Sequence, residues 1–164
     1  MSGKREEMGW ELDLRLLREV FKESQQQQHL HILVVEDCDE DLFLLARCLN
    51  AMQEFEVSIT HARDLDEAVE QAEEKAFDLV IVDFWLGDQT GPNVLAKLGG
   101  RHGAAPAILV TGLDHPAYKA AGLKAGAIQS ISKDLLTSTL LQDTIRSVCL
   151  THKIEKDLVG EKRA

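Results

Sequence analysis

The sequence has few cysteines, no long apolar run and no excess of basic residues, and each shortage excludes a class of protein. The three cysteines form no CxxC pair, so neither a zinc site nor a disulfide framework is indicated, and a reducing compartment such as the cytoplasm is expected. No apolar run reaches transmembrane length, and the first eight residues lack the apolar stretch of a signal peptide. The net charge of -10 disfavours contact with nucleic acid or with an anionic membrane.

Several motifs for phosphate or nucleophile chemistry are also missing. The sequence contains no glycine-rich phosphate loop and no nucleophile elbow. No Ser/Thr/Gly-rich loop follows the first predicted strand, so flavin binding of the flavodoxin type is not expected. What remains is a chain of 164 residues, long enough to bury its own core as one domain.

The central feature is the apolar run 79–82, which ends abruptly in Asp83. A continuous run of this length, without alternation, is typical of a strand that is buried on both faces of a parallel sheet. Asp83 would then stand at the carboxyl end of a central strand, which is where open α/β sheets bind their ligands.

Strand and helix patterns alternate from His29 onward. This order predicts an α/β domain, with a parallel sheet, right-handed crossovers and helices on both faces. The predicted strands lie at 31–35, 55–59, 79–83, 107–111 and 127–133, and the predicted helices at 39–49, 64–76, 92–98, 114–125 and 136–151.

The two ends of the chain differ from this central region, which we assign to residues 29–152. Residues 1–28 contain an amphipathic helix at 10–23 and a glutamine-rich linker, and residues 153–164 are predicted to be a charged, frayed tail. The helix either packs on its own domain or binds a partner, a second copy of the chain included. Its apolar face is formed by Trp10, Leu14, Leu17 and Phe21.

Polar residues follow four of the predicted strands. Glu36 and Asp37, Asp83, Thr111 and Lys133 each lie at or just past a carboxyl end, and these ends meet at one edge of a parallel sheet. Crowded carboxylates repel one another, and protonation or a cation must relieve that repulsion. Oxygen ligands supplemented by water suit Mg²⁺ better than zinc.

A carboxylate nucleophile beside a divalent ion, a lysine and a hydroxyl can accept a phosphoryl group. Asp83 would attack and form an acyl phosphate, while the metal and Lys133 neutralise charge on the transferring group. Thr111 would bond a phosphoryl oxygen. Taken singly, each residue also fits a simpler role, as a turn former, a helix cap or a solvated charge.

Four segments, 34–37, 80–83, 109–112 and 132–133, resemble in order and spacing the receiver domain of two-component response regulators, the CheY-like family. The resemblance covers roughly residues 30–152. It implies a flavodoxin-like (βα)5 three-layer sandwich with strand order 2-1-3-4-5. It also implies a signalling phosphoacceptor that is not an enzyme beyond catalysing its own phosphorylation and dephosphorylation.

The resemblance also assigns roles to the residues at the sheet edge. Asp83 would accept a phosphoryl group from a histidine kinase or a histidine phosphotransfer protein. Thr111 would be the switch hydroxyl and Lys133 the lysine that contacts phosphate. Mg²⁺ would be held by Asp37 directly, Glu36 through water, Asp83, and the backbone carbonyl of Trp85.

Three positions depart from the family pattern. Ser130 stands where the family usually has an aromatic switch residue, three positions before the lysine. Asp134 and Gly87 stand where prolines are common. None of these changes removes a catalytic group, so phosphorylation is still predicted, with Ser130 at the switch position.

The function that we expect is a stand-alone receiver with an N-terminal helical extension, since the chain leaves no room for a DNA-binding domain. Phosphorylation would switch its binding to protein partners or would relay the phosphoryl group. One alternative is a pseudo-receiver that docks proteins without phosphate. A second, an Asp-based phosphatase of the haloacid-dehalogenase type, is disfavoured because Trp85 occupies the place of the second acid.

Overall fold

A parallel sheet of five strands organises the computed structural model, which describes residues 27–100, 103–112 and 115–161. The predicted helix at 10–23, with Trp10, Leu14, Leu17 and Phe21, lies outside the described residues. The strand order is β2-β1-β3-β6-β7. The five strands are β1 (Gln28–Val35), β2 (Phe55–Ala62), β3 (Leu79–Asp83), β6 (Ala107–Thr111) and β7 (Gln129–Ser132).

The predicted strand order is confirmed, with one addition. Two short strands, β4 (Trp85–Leu86) and β5 (Gln89–Thr90), form an antiparallel hairpin after β3, so the last two strands of the sheet are the sixth and seventh of the chain. Gly87 lies in the hairpin turn with φ of 62°. Proline cannot adopt a positive φ, so this turn is incompatible with a proline at position 87.

Both faces of the sheet are buried, as the continuous apolar run predicted. In β1, Ile32 and Val34 face one core cluster, whereas Leu33 and Val35 face the other. Leu79 and Ile81 in β3 likewise alternate with Val80 and Val82. In β3 and β6 this alternation leaves no polar position before the last residue of the strand.

Five α-helices in the described ranges cover the two faces. Core residues of α1 and α5 belong to one cluster, and those of α2 and α3 belong to the other, together with partly buried residues of α4. The helices are α1 (Asp39–Asn50), α2 (Leu65–Glu74), α3 (Gly91–Lys97), α4 (Pro116–Ala125) and α5 (Ser138–Glu161).

Local capping signals explain where α2 begins and where α4 ends. Asp64 is the N-cap of α2, and its side chain accepts a hydrogen bond of 2.9 Å from the Glu67 backbone N–H. Gly126 ends α4 with φ of 115°, a left-handed conformation that suits glycine. Helix α4 begins at Pro116 with His115 as its N-cap, one residue later than the predicted cap.

The prediction of a frayed, charged tail at 153–164 is wrong in one respect: residues 153–161 are helical, because α5 continues through them to Glu161. No proline interrupts this stretch, and Ile154 and Leu158 continue a four-residue apolar spacing from Leu150. The helix therefore has no reason to stop at Thr151. The N-terminal boundary of the domain shifts from residue 29 to residue 28, since β1 begins at Gln28.

No helix within the described ranges is long and apolar enough to cross a membrane.

Candidate functional site

The carboxyl ends of β1, β3, β6 and β7 bring the predicted polar residues to one edge of the sheet. Glu36 follows β1, Asp83 and Thr111 are the last residues of β3 and β6, and Lys133 follows β7. Hydrogen-bonded register joins β3 to β6 and β6 to β7, with Thr111 opposite Ser132. Residues almost 100 positions apart are therefore adjacent because the sheet is parallel.

Asp83 is nearly enclosed, with 7% of its surface exposed. Its Oδ1 accepts a hydrogen bond of 2.8 Å from the Phe84 backbone N–H and lies 3.2 Å from Lys133 Nζ. Burial raises the pKa of the Asp83 carboxyl, although the Lys133 charge and hydrogen bond oppose that shift. A buried carboxylate whose charge is partly neutralised by a lysine is a suitable nucleophile.

Glu36 is the second buried carboxylate, with 3% of its surface exposed. One oxygen accepts a hydrogen bond of 3.1 Å from the Cys38 backbone N–H, and the other accepts one of 3.0 Å from Lys133 Nζ. Burial is the main cause of its raised pKa, and the charge of Asp83 adds to it.

Asp37 completes a cluster of three carboxylates and is itself exposed. Glu36, Asp37 and Asp83 each offer an oxygen, and these atoms lie within 4.8 Å of one another. This spacing fits a single small cation between them, and a donor set made only of oxygen suits Mg²⁺.

Lys133 is the only cation among the described residues that forms ion pairs with these acids, and it has a partner that the sequence analysis missed. Its Nζ lies 2.6 Å from Asp41 Oδ2, closer than it lies to Glu36 or Asp83. The three carboxylates raise the pKa of Lys133, although burial opposes this. Nothing in the sequence separates Asp41 from Asp39 and Glu40, since all three stand in the acidic first turn of α1.

Thr111 and Ser130 are the two predicted switch residues, and the structure places them differently. Thr111 is fully buried at the end of β6, next to the edge where Asp83 lies. Ser130 lies in β7 opposite Leu109, and its hydroxyl is buried without a hydrogen-bond partner in the described part of the chain. Ser130 therefore offers neither a ring nor a bonded hydroxyl at this position.

Aromatic rings gather instead on the hairpin side of the site, which the sequence analysis also missed. The ring of Phe84 lies 5.1 Å from that of Trp85 and 4.6 Å from that of Tyr118, and the Trp85 and Tyr118 rings are 5.9 Å apart. Trp85 is 47% exposed, and it lies two residues after Asp83 in the chain.

Gly91 packs directly against the backbone of Asp83. Its N–H donates a hydrogen bond of 2.8 Å to the Phe84 carbonyl. A Cβ atom added at Gly91 would lie 2.3 Å from the backbone carbonyl oxygen of Asp83, which is closer than any real contact. The first residue of α3 is therefore pressed against the acceptor residue, and only glycine fits there.

A known protein family matches the part of the sequence that contains these residues. The family described as the response regulator receiver domain matches residues 32–145, which include every edge residue named above. The chain belongs to this family. Receiver domains are signalling phosphoacceptors of two-component systems, and they bind Mg²⁺ through acidic residues at this position.

Two curated proteins are similar to the chain in sequence. It is 33% identical over 112 residues to the uncharacterized transcriptional regulatory protein YkoG of Bacillus subtilis (strain 168), covering 68% of this chain and 47% of that protein. It is 25% identical over 129 residues to the transcriptional regulatory protein ZraR of Escherichia coli (strain K12), covering 79% of this chain and 29% of that protein. The chain thus spans less than half the length of these relatives.

The fold is similar to that of solved receiver domains. A CheY-like response regulator receiver domain protein from Methanospirillum hungatei JF-1 superposes with a TM-score of 0.65 at 26% identity, covering 78% of this chain and 99% of that one. The α/β flavodoxin-like receiver fold that the resemblance implied is therefore confirmed.

Proposed function

We propose that this receiver domain accepts a phosphoryl group on Asp83 and thereby changes its binding to protein partners or passes the group on. One observation carries the proposal: the Asp83 carboxylate faces Lys133 at 3.2 Å, with oxygens of Glu36 and Asp37 within 4.8 Å. Burying a carboxylate in a cluster of acids costs free energy. A docking module without phosphate chemistry gains nothing from such a carboxylate and would not need it.

In the proposed step, an Asp83 oxygen attacks the phosphorus of a phosphohistidine on a histidine kinase or phosphotransfer protein. The P–O bond to Asp83 forms as the P–N bond breaks, and the leaving imidazole keeps the electron pair and takes a proton from solvent. Lys133 holds the attacking carboxylate and stabilises the negative charge that reaches the new acyl phosphate. Thr111, buried at the same edge, would donate its hydroxyl to a phosphoryl oxygen.

The same residues fit a resident Mg²⁺ ion. We assign its protein ligands to Asp37, Asp83, the backbone carbonyl of Trp85 and, through water, Glu36. Bound there, the ion would neutralise charge on the transferring phosphoryl group. Burial raises the pKa values of Glu36 and Asp83 despite the nearby Lys133 charge, which supports a further cation at this cluster.

The output of the proposed switch rests on protein contacts. The acidic chain, with its net charge of -10, has no electrostatic attraction to nucleic acid. The transcriptional role that the names of YkoG and ZraR give belongs to proteins of which this chain spans less than half. We therefore propose a partner protein or a phosphotransfer protein as the target, and a cytoplasmic location shared with the phosphodonor.

The test is the intact mass of the full chain after incubation with acetyl phosphate, with and without Mg²⁺. We expect one labile phosphoryl group that requires Mg²⁺. It should be absent from Asp83→Asn and present in Asp88→Asn, which changes an exposed aspartate in the nearby hairpin turn. No added mass under any condition would favour the docking-module alternative, and added mass in Asp83→Asn would move the acceptor elsewhere.

The pH dependence of stability provides a second test of the metal assignment. Glu36 and Asp83 have raised pKa values when folded, so the folded protein binds more protons than the unfolded chain, and their contribution to stability is lost as the pH rises through the raised values. Mg²⁺ binds the deprotonated cluster and should counter this loss. At a hundredfold excess over its dissociation constant it should add about 2.7 kcal/mol to the free energy of unfolding.

The measurement is urea unfolding with and without Mg²⁺ at about pH 7.5 and about pH 4.5. We expect the Mg²⁺ effect to be large at the higher pH, small at the lower pH, and strongly reduced in Asp37→Asn. The Asp88→Asn protein should respond like the unmodified chain. An equal Mg²⁺ effect at both pH values would contradict the assignment of the buried carboxylates.

A further inference from the structure

The second half of α5 carries an apolar stripe that nothing among the described residues covers. Leu150, Ile154 and Leu158 are 58%, 50% and 55% exposed. Their spacing of four residues puts them on one face of the helix. That face lies away from the sheet, because Leu141, Ile145 and Val148 form the buried face of the same helix. We call Leu150, Ile154 and Leu158 the outer stripe.

The chain enters the domain beside this part of α5. Gln28, the first residue of β1, lines a groove of about 280 Å³ together with Lys153, Lys156 and Asp157 of α5. The described part of the chain therefore begins next to the helix that bears the outer stripe.

The short linker keeps the end of the predicted helix 10–23 close to this groove. Residues 24–27 span at most about 14 Å when fully extended. That is slightly more than the 10–12 Å width of a helix with its side chains. The end of the helix at residue 23 therefore lies within about 14 Å of the groove, which is enough to cross to the outer side of α5.

The two surfaces match in chemistry and in length. The apolar face of 10–23 extends from Trp10 to Phe21, which is about 16 Å along a helix, and the outer stripe extends about 12 Å from Leu150 to Leu158. Each is a narrow apolar face on an otherwise charged segment. Aromatic side chains gain most from covering such a stripe.

A second copy of the chain is a weaker occupant. The three side chains of the outer stripe offer roughly 200 Å² of apolar area, judged from the area that a leucine loses on burial. A stable interface between two proteins buries about 800 Å² on each partner. A segment of the same chain avoids the entropy loss of association, because the linker already keeps it near.

We propose that residues 10–23 form a helix that packs on the outer stripe of α5 in the same molecule. The segment thereby covers an apolar surface that would otherwise be open to other proteins. This packing does not depend on phosphorylation of Asp83, so either proposal can fail while the other holds.

Trp10 provides a direct test, because the chain has only two tryptophans. In the full-length Trp85→Phe protein Trp10 is the only indole, and its emission maximum and acrylamide quenching are measured together with the mass in solution. We expect a blue-shifted, protected Trp10 at monomeric mass. Adding Ile154→Glu should abolish the protection, whereas Phe43→Glu, at an exposed apolar residue on α1, should leave it intact.

Three results would overturn the proposal. A solvent-exposed Trp10 in the monomer would show that the segment does not pack, and protection that survives Ile154→Glu would place it on another surface. Protection that appears only with dimeric mass would assign the outer stripe to a second copy. Far-ultraviolet circular dichroism and urea unfolding show whether each variant keeps its fold.

Discussion

Replacing Lys133 by methionine is expected to slow phosphorylation of Asp83 by about 10²–10³-fold, the usual effect of removing one preorganised charge from a transferring group. Lys133 lies within 3.2 Å of three carboxylates, those of Glu36, Asp41 and Asp83. Methionine keeps much of the side-chain volume but leaves the acids without their cation. The measurement is the rate of intact-mass change with acetyl phosphate at fixed Mg²⁺.

The same substitution should also lower stability in a pH-dependent way. Removing one partner of a buried ion pair costs about 3–5 kcal/mol, and we expect about 2 kcal/mol here, because Asp41 can turn to solvent. Without Lys133 the pKa values of Glu36 and Asp83 rise further, since the Lys133 charge opposes the increase that burial causes. Protonation relieves the uncompensated charge, so the stability difference from the unmodified protein should shrink as the pH falls.

Lys97→Met is the matched control for both effects, since Lys97 is an exposed lysine on α3 away from the carboxylate cluster. It should change neither the phosphorylation rate nor the pH dependence measurably. If Lys133→Met phosphorylated as fast as the unmodified chain, Lys133 would be a structural counter-ion for Glu36 and Asp41 alone.

Gly91→Ala is the second substitution with a large expected effect. The new Cβ would lie 2.3 Å from the Asp83 carbonyl oxygen and 3.1 Å from a Leu109 methyl carbon. The first contact is with backbone, so either the end of β3 or the start of α3 must move. We expect a loss of about 1–3 kcal/mol in the free energy of unfolding, as for other overpacked sites.

The displacement should also affect the chemistry, because it moves the residue that accepts the phosphoryl group. A shift of about 1 Å at a reacting group can slow the reaction by about 10²-fold. The readouts are urea unfolding and the phosphorylation rate of the full chain. Gly160→Ala is the control: a Cβ there meets nothing within 4 Å, and alanine should slightly stabilise α5. Equal behaviour of the two variants would refute the close approach at Gly91.

The sequence by itself was sufficient for the five strands of the sheet, for the helices between them and for the edge at which they place their polar residues. Continuous apolar runs such as 79–82 predict strands that are buried on both faces, and the alternation of strands with helices predicts a parallel sheet. Because such a sheet gathers its carboxyl ends, Asp83 and Lys133 could be placed together although they are 50 residues apart. These inferences depend only on local pattern and on a general rule of topology.

Other features were decided by tertiary structure. Asp41 contacts Lys133 because α1 leaves β1 at an angle that no sequence pattern encodes, and its two acidic neighbours in the same turn do not make this contact. Gly91 is required by a backbone approach of α3 to β3, which depends on how the β4–β5 hairpin turns the chain. Burial, which raises the pKa values of Glu36 and Asp83, likewise exists only once both core clusters have formed. Such contacts depend on distances between distant segments, which packing sets and local sequence does not.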